Sequence, residues 1–203
     1  MSGHEHDHER LHDEQHGADE AETEEALALE AERELRRRVA LAQIRQYGDS
    51  VLRMRANEVL AFDDELARLS ERLVGLMHDA DGVGLAATQI GILRRLFVFH
   101  HEGEDRLLVN PQLTSRSAET EVDVEGCLSL GPVRVPVERA TAVTVEARDV
   151  GGEPLRLELQ GLPARVVQHE LDHLDGVLIL DRTDPESRRE ALSLLRPRIV
   201  LSR

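Results

Sequence analysis

Residues 168–173 read QHELDH, and this hexapeptide constrains the fold more than any other segment. His169 and His173 are four residues apart, so on a helix they lie within about 40° of each other on one face, one turn apart. Two imidazoles placed in this way can share one metal ion. Glu170 then lies beside the ion without binding it, where a general base for a metal-bound water belongs. An ordinary helix with solvated His and Glu produces the same pattern, so other segments must decide.

Cys127 precedes His169 by 42 residues and is the only cysteine in the chain. A single thiol excludes an intramolecular disulfide, which suits a reducing cytoplasm and leaves the thiol available to a metal. Metalloproteases with the His-Glu-x-x-His motif complete their sites with His or Glu. A third ligand from Cys127 would therefore indicate a softer metal.

Two further segments place glycines beside chemically useful side chains. GVGLAATQIG (82–91) combines glycines with a small-residue run and Gln89, and EVDVEGCLSL (121–130) alternates like a strand before Gly126 and Cys127. Together, GVGLAATQ, EGCLS and QHELDH resemble the three signature motifs of peptide deformylase, in that family's order. The resemblance runs from about Ile44 to about Asp181 and includes IRQYGDSVLR (44–53).

This resemblance implies a metal-dependent hydrolase that removes the N-formyl group from N-formylmethionyl nascent polypeptides. A metal-bound water would attack the formyl carbon, with Glu170 as general base and acid. The Gln89 side-chain amide and the Leu128 backbone N–H would bind the oxyanion. One divalent metal is implied, with Fe²⁺ favoured and Zn²⁺, Ni²⁺ or Co²⁺ as substitutes. Its implied ligands are Cys127, His169 and His173.

The resemblance also implies a set of substrate contacts. Gly84 would form sheet-like hydrogen bonds to an extended peptide, and Gly126 would let the chain turn so that the thiolate points inward. The implied pocket for the methionine side chain consists of Val83, Leu162, Val166 and the face of His169, with Arg134 at its rim.

Three further polar residues lie in or beside these motifs. Asp172 either orients a ligand histidine or forms a salt bridge elsewhere on the helix. Glu125 is either a partner of the metal ligands or a surface acid at the end of a strand. Arg165 occupies a pocket-edge position that is often apolar in the family, which alters the expected entrance to the pocket.

The hydrophobic pattern predicts an α+β fold, with antiparallel sheets of short strands around a central metal-binding helix. A helix over 62–82 is capped by Asp63 or Asp64 and ends at Gly82. Pro163 opens the metal-binding helix, Asp175-Gly176 ends it, and Asp184-Pro185 starts a terminal helix with Leu192 and Leu195 on one side. The predicted strands cover 95–100, 106–110, 133–137, 142–148 and 154–160.

Composition divides the chain into an acidic, His-rich extension over 1–43 and a catalytic domain over 44–203. Residues 1–20 contain five of the ten His and almost no apolar side chains, which predicts disorder. They are either a solvating tail or a metal-sequestering arm. Leu27, Ala31, Leu35 and Val39 recur every fourth residue, which favours a helix or a partner-binding stretch.

The net charge of −15 argues against nonspecific binding of nucleic acid, including DNA. No apolar stretch approaches the roughly 20 residues that span a bilayer, so we expect a cytoplasmic protein without a membrane segment. Residues 182–203 hold six Arg against three acids. This stretch either docks at the ribosome exit tunnel, as related enzymes are thought to do, or is an ordinary solvated helix.

Two other functions fit part of the pattern. A small metallopeptidase would cleave unformylated peptides and would use a third ligand other than Cys127. A noncatalytic metal-binding protein would need the ligands but neither Glu170 nor Gln89. The presence of both residues argues for catalysis.

Overall fold

The structure is a computed structural model that describes residues 25–195. Residue contacts divide the chain into two units, Met1–Val39 and Ala40–Arg203. The first helix, α1, covers residues 25–41, as the four-residue repeat from Leu27 to Val39 predicts. The His-rich residues 1–20 lie outside the described residues.

In its described part, the second unit combines two antiparallel sheets with three α-helices, which confirms the predicted fold class. The helices are α2 (Asp64–Asp79), α3 (Gly161–Leu174) and α4 (Pro185–Leu195). The five-stranded sheet has the order β1-β2-β3-β6-β7, and β4 and β5 form a separate hairpin. The strands are β1 (Gly84–Ala86), β2 (Leu96–His101), β3 (Glu104–Arg116), β4 (Thr120–Gly126), β5 (Arg134–Ala140), β6 (Ala142–Arg148) and β7 (Pro154–Gln160). Short 3₁₀ turns cover Ser50–Arg53, Ala87–Ile90, Leu128–Leu130 and Ile179–Asp181.

Helix α3, which carries the metal motif, lies at the centre of this unit. It contacts four strands of the large sheet (β1, β2, β6 and β7) and also β5 of the hairpin. Every residue from Ala164 to Leu174 is buried except His169. Pro163 is the third residue of the helix rather than the first, a position where its missing N–H leaves no helical bond unmade. The polar side chains of α3 must therefore find partners inside the protein.

Strand β2 is buried on both faces, which explains its uninterrupted apolar run LFVF (96–99). Leu96 and Val98 belong to the core cluster that includes the apolar face of α2. Phe97 and Phe99 point the other way, into the cluster that includes α3. The sheet is therefore the layer between the two helices, and it sets the position of the metal-motif helix.

Helix α2 begins as predicted and ends differently. The Asp63 side chain caps it by accepting hydrogen bonds from two first-turn N–H groups, at 3.1 and 3.0 Å. The helix ends at Asp79, and Asp81 adopts a positive φ of 55°. Gly82 is therefore not the terminator, because the short polar side chain of Asp81 tolerates the left-handed conformation.

Strand β3 is longer than predicted because a bulge carries it past Pro111. The pairing with β6 shifts register between Val109 and Gln112, and Asn110 has a φ of 53°. The shift leaves Pro111, which has no N–H, outside the ladder of hydrogen bonds. The strand then continues to Arg116.

The terminal helix α4 starts at the predicted cap. Asp184 Oδ1 accepts hydrogen bonds from the N–H groups of Glu186 and Ser187 at 2.9 and 3.0 Å. Leu192 and Leu195 pack against the core cluster that also contains Cys127, so α4 supports the segment that follows β4. No helix within residues 25–195 has the length and apolar character needed to cross a membrane.

Gly75 and Gly176 differ in whether the backbone at each position could accept a side chain. Gly75 lies inside α2, and a Cβ added there meets no atom within 4 Å. Gly176 follows α3 with a φ of +74°, and an added Cβ would lie 2.6 Å from the Arg53 carbonyl oxygen. We predict that Gly75→Ala raises the free energy of unfolding by about 0.5–1 kcal/mol. Gly176→Ala should lower it by at least about 1–2 kcal/mol, because alanine resists the left-handed conformation.

Urea unfolding followed by circular dichroism measures both changes, with each variant serving as the control for the other. Shifts of the same sign and size in the two variants would contradict the conformational argument.

Candidate metal centre and active site

Two elements bring the three predicted metal ligands together. Cys127 directly follows β4, and His169 and His173 lie one turn apart on α3, with ring centroids separated by 4.9 Å. The ligating atoms of the three residues all lie within 4.8 Å of one another, and Cys127 Sγ is 3.2 Å from His173 Nε2. One metal ion can span a cluster of this size.

The chemistry of these donors fits a divalent metal. Burial holds the pKa of His173 well below its usual value, so the imidazole is neutral and offers a lone pair. Cys127 forms no disulfide and is buried beside the two imidazoles. Glu170 adds a buried carboxylate oxygen, Oε2, that has no hydrogen-bond partner among the described residues. An unpartnered buried acceptor is costly, so this arrangement suits a site that also holds a water molecule.

The orientation of His169 is set by Glu125. His169 Nδ1 lies 3.0 Å from Glu125 Oε2. Burial alone would raise the pKa of Glu125, but hydrogen bonds from His169 and Arg139 lower it to about 2. The ionised carboxylate can only accept, so Nδ1 carries the proton and Nε2 is left for the metal. Of the two roles open for Glu125, the surface acid is therefore wrong.

Two buried arginines hold Glu125 in place. Arg139 donates from Nε and Nη2 to the two carboxylate oxygens, each at 2.9 Å. Arg165 donates from Nη1 to Glu125 Oε1 at 2.9 Å and to the Val137 carbonyl at 2.8 Å. The predicted pocket-edge position of Arg165 is wrong, because its guanidinium group points inward and is stabilised by the buried carboxylate.

Asp172 belongs to the same network through arginines rather than through a ligand histidine. Arg139 Nη1 donates to Asp172 Oδ2 at 2.5 Å, and Arg182 Nη2 donates to Asp172 Oδ1 at 2.6 Å. The salt-bridge role is therefore the correct one for Asp172. Arg139 contacts both Glu125 on β4 and Asp172 on α3, so it connects the strand before Cys127 to the helix that carries the histidines.

Sequence reasoning missed Arg139, although a signal for it exists. Val135, Val137 and Arg139 alternate along β5, and all three are buried. The period of two that predicts the strand places Arg139 on its core face. An arginine on a core face requires buried carboxylate partners, which Glu125 and Asp172 provide.

Glu170 lies against β1 at the point where that strand has no side chain. A Cβ added to Gly84 would lie 2.5 Å from Glu170 Oε1 and 3.0 Å from Val166 Cγ1. Gly84 is therefore required for the close approach of β1 to α3. Burial raises the pKa of Glu170 to about 7, which suits a group that takes up and releases a proton.

Gln89 is oriented so that its amide donors face the cysteine. Its Oε1 accepts a hydrogen bond from the Ala86 N–H at 2.8 Å. Nε2 then lies 3.7 Å from Cys127 Sγ and 3.2 Å from Ser129 Oγ. Ser129 is fully buried and is a further contact that the sequence did not reveal. Leu128 starts the 3₁₀ turn after Cys127, so its N–H has no acceptor within that turn.

The predicted substrate contacts fall into two groups, one at β1 and α3 and the other across the β4–β5 hairpin. Val83 is exposed and precedes Gly84, while Leu162 is exposed one helical turn before the buried Val166. Gly126 pairs in register with Arg134 across the hairpin. The Arg134 guanidinium group covers the face of Gly126 where a side chain would otherwise lie.

Comparison with known proteins places this site in a family. Residues 41–189 match the family model described as polypeptide deformylase. A peptide deformylase of Thermotoga neapolitana is 46% identical over 158 residues, which cover 78% of this chain and 94% of that protein. Peptide deformylase 1 of Corynebacterium glutamicum is 43% identical over 162 residues, with coverage of 78% and 96%.

Solved structures give the same result. The crystal structure of peptide deformylase from Thermotoga maritima matches with a TM-score of 0.68 and 46% identity, covering 70% of this chain and 97% of that one. The structure of a peptide deformylase from Synechococcus elongatus in complex with actinonin matches with a TM-score of 0.72 and 41% identity, with coverage of 75% and 84%.

Glu125 offers a direct test of the site's construction. We predict that Glu125→Gln lowers metal affinity by about 10–100-fold, because the amide no longer presents a charged acceptor to His169 Nδ1. Asp123→Asn is the matched control, since Asp123 is exposed on the same strand. Competition with a chromophoric chelator measures the affinity of each variant, after circular dichroism has shown that it is folded. Equal affinity in the two variants would mean that Glu125 does not position the ligand.

Proposed function

The chain belongs to the peptide deformylase family, and from this premise we propose that it removes the N-formyl group from N-formylmethionyl ends of nascent polypeptides. The observation that carries the proposal is the buried Glu170 carboxylate beside Cys127, His169 and His173, with one oxygen unpartnered among the described residues. Metal binding alone would need only the three ligands. A proton acceptor at this position supports hydrolysis.

Hydrolysis of a formyl group makes three demands on the surrounding residues. The oxygen of water attacks the carbonyl carbon, and the carbonyl oxygen becomes a tetrahedral oxyanion. The C–N bond then breaks to release formate and an amine. The water must lose a proton, the oxyanion needs hydrogen-bond donors, and the departing amine must gain a proton.

Glu170 meets the two proton demands. Cys127, His169 and His173 would hold a divalent metal, which would supply Lewis acidity to lower the pKa of water towards ~7 and to polarise a carbonyl oxygen. Glu170 accepts the proton that the attacking water loses, and it delivers that proton to the amine nitrogen as the C–N bond breaks. Its burial against Gly84 keeps bulk water from competing for the proton.

Gln89 and Leu128 meet the demand for oxyanion donors. The hydrogen bond from Ala86 fixes the Gln89 amide with its donors towards Cys127. The Leu128 N–H belongs to the residue after the cysteine, so it can face the same reacting carbonyl. Both donors are neutral and are already fixed before the charge develops, which is the arrangement that stabilises a transition state most.

Strand β1 supplies a place for an extended peptide. Among residues 25–195 it pairs only with β2, so its other edge can offer the Gly84 backbone groups to a peptide. Val83, Leu162 and Val166 would then contact the methionine side chain. Arg134, beside Gly126, would hold the rim of this pocket or the peptide chain.

We further propose Fe²⁺ as the resident metal, with Zn²⁺, Ni²⁺ or Co²⁺ as substitutes. A thiolate with two imidazoles selects these ions over Mg²⁺ and Ca²⁺. An iron–thiolate centre is sensitive to oxygen, so protein purified anaerobically should retain more metal and more activity.

We also propose that residues 44–203 form the catalytic domain, that residues 1–43 are an extension, and that the protein works in the cytoplasm.

The substrate proposal is tested with a matched pair of peptides. Anaerobically purified protein should release formate from a formyl-Met peptide and leave the same peptide without the formyl group intact. Cleavage of the unformylated peptide would contradict the proposal and support a metallopeptidase instead.

Glu170→Gln tests the catalytic role of the carboxylate. The variant should lose about 10²–10⁴-fold in kcat, because glutamine cannot take up the proton of the attacking water. Its metal content should be unchanged, because Glu170 is not a ligand. Glu158→Gln on the exposed face of β7 is the control and should retain full activity. Full turnover by Glu170→Gln would show that another group carries the proton.

We also propose that the Arg-containing stretch 182–203 docks near the ribosome exit tunnel. Its six Arg against three acids, on a chain of net charge −15, support an RNA contact. Because Ala191 of α4 is buried, truncation would disturb the fold, and charge substitution is the cleaner test. Arg188→Gln with Arg189→Gln should weaken pelleting with ribosomes at low salt. Arg148→Gln with Arg156→Gln, on exposed positions of β6 and β7, is the control.

Equal pelleting of both double variants and the unaltered chain would remove the docking proposal. In that case the stretch would be an ordinary solvated helix.

A further inference from the structure

A second group of metal-ligating side chains lies away from the Cys127 site. His78 is in the last turn of α2, His100 is in β2, and Asp105 is in β3. We call these three residues the His78 cluster. His78 Nε2 lies 2.7 Å from Asp105 Oδ2, and His100 Nδ1 lies 2.8 Å from Asp105 Oδ1. One carboxylate therefore engages two imidazoles at once.

The geometry of the His78 cluster matches that of a metal site. One ligating atom from each residue lies within 4.8 Å of the other two, the same limit that the Cys127 site satisfies. The two imidazole rings meet edge to face, with centroids 5.8 Å apart, and so do not stack. One nitrogen of each ring faces Asp105. Two imidazoles and a carboxylate are donors that suit borderline cations such as Zn²⁺ and Ni²⁺.

The cluster is held together by the fold rather than by flexible loops. His100 and Asp105 are direct partners in the register of β2 with β3. Helix α2 packs on β2, which brings His78 to the same point. The side chains are 50% (His78), 44% (His100) and 26% (Asp105) exposed, so an ion can reach them from solution and water can complete its coordination.

The local charge favours a cation. Residues 78–81 and 100–106 contain five acids and one arginine. Burial alone would raise the pKa of Asp105, but hydrogen bonds from His100 and His78 lower it below its usual value. The carboxylate is therefore ionised, and the negative surroundings raise the local concentration of cations.

We propose that His78, His100 and Asp105 form a second divalent-metal site, selective for borderline ions such as Zn²⁺ and Ni²⁺ and independent of the catalytic centre. This site would connect the end of α2 to the β2–β3 hairpin. The backbone N–H of His100 also donates to the Val83 carbonyl at 3.0 Å. An ion bound here would therefore brace both ends of the segment that runs from α2 into β1.

Equilibrium dialysis against Zn²⁺ tests the proposal on the full chain. The double variant His78→Ala with His100→Ala should bind one equivalent less than the unaltered protein. His101→Ala is the matched control, because His101 is the next residue along β2 and is outside the cluster. The five histidines of residues 1–20 are present in every variant, so they do not contribute to the difference. Equal zinc content in the double variant and the control would overturn the proposal.

A second measurement needs no substitution and so does not depend on how the variants fold. Diethyl pyrocarbonate modifies imidazole nitrogens that are not occupied, and mass spectrometry locates the modified residues. Added Zn²⁺ should slow the modification of His78 and His100 several-fold and leave that of His101 unchanged. Unchanged rates at His78 and His100 would show a hydrogen-bonded surface cluster that holds no metal.

Discussion

The site depends on one buried carboxylate, Glu125, and on the two arginines that neutralise it. Glu125 fixes the tautomer and direction of His169, while Arg139 also binds Asp172 on the metal-motif helix. Removing one partner of a buried ion pair typically costs about 3–5 kcal/mol, because the other charge is left uncompensated. The strand before Cys127 and the helix of the two histidines are thus held in one relative position, as three ligands drawn from two elements require.

Close packing between β1 and α3 is the second condition for the site. Gly84 lets the strand approach Glu170 so closely that a single added carbon would overlap the carboxylate. That approach buries the Glu170 carboxylate, and among the described residues β1 pairs only with β2. The same glycine therefore sets the packing of β1 on α3, and β2, buried on both faces, supports this packing from behind.

Much of this arrangement is local in sequence and could be predicted. The spacing of His169 and His173, the lone Cys127 and the caps of α2 and α4 each depend on a few neighbouring residues. The network around Glu125 could not be assigned, because its members come from β4, β5 and α3 and meet only in the folded chain. Periodicity places Arg139 on the core face of β5, but it does not say which carboxylate meets it. Arg165 was misplaced for the same reason.

The metal centre requires that Cys127, His169 and His173 bind one ion together. Zinc-edge X-ray absorption on the full chain carrying one equivalent of Zn²⁺ detects all three ligands at once. We predict a first coordination shell with one sulfur at about 2.3 Å and two imidazole nitrogens at about 2.0–2.1 Å. The sulfur should disappear in Cys127→Ser. A first shell made only of nitrogen and oxygen in the unaltered protein would show that Cys127 is not a ligand.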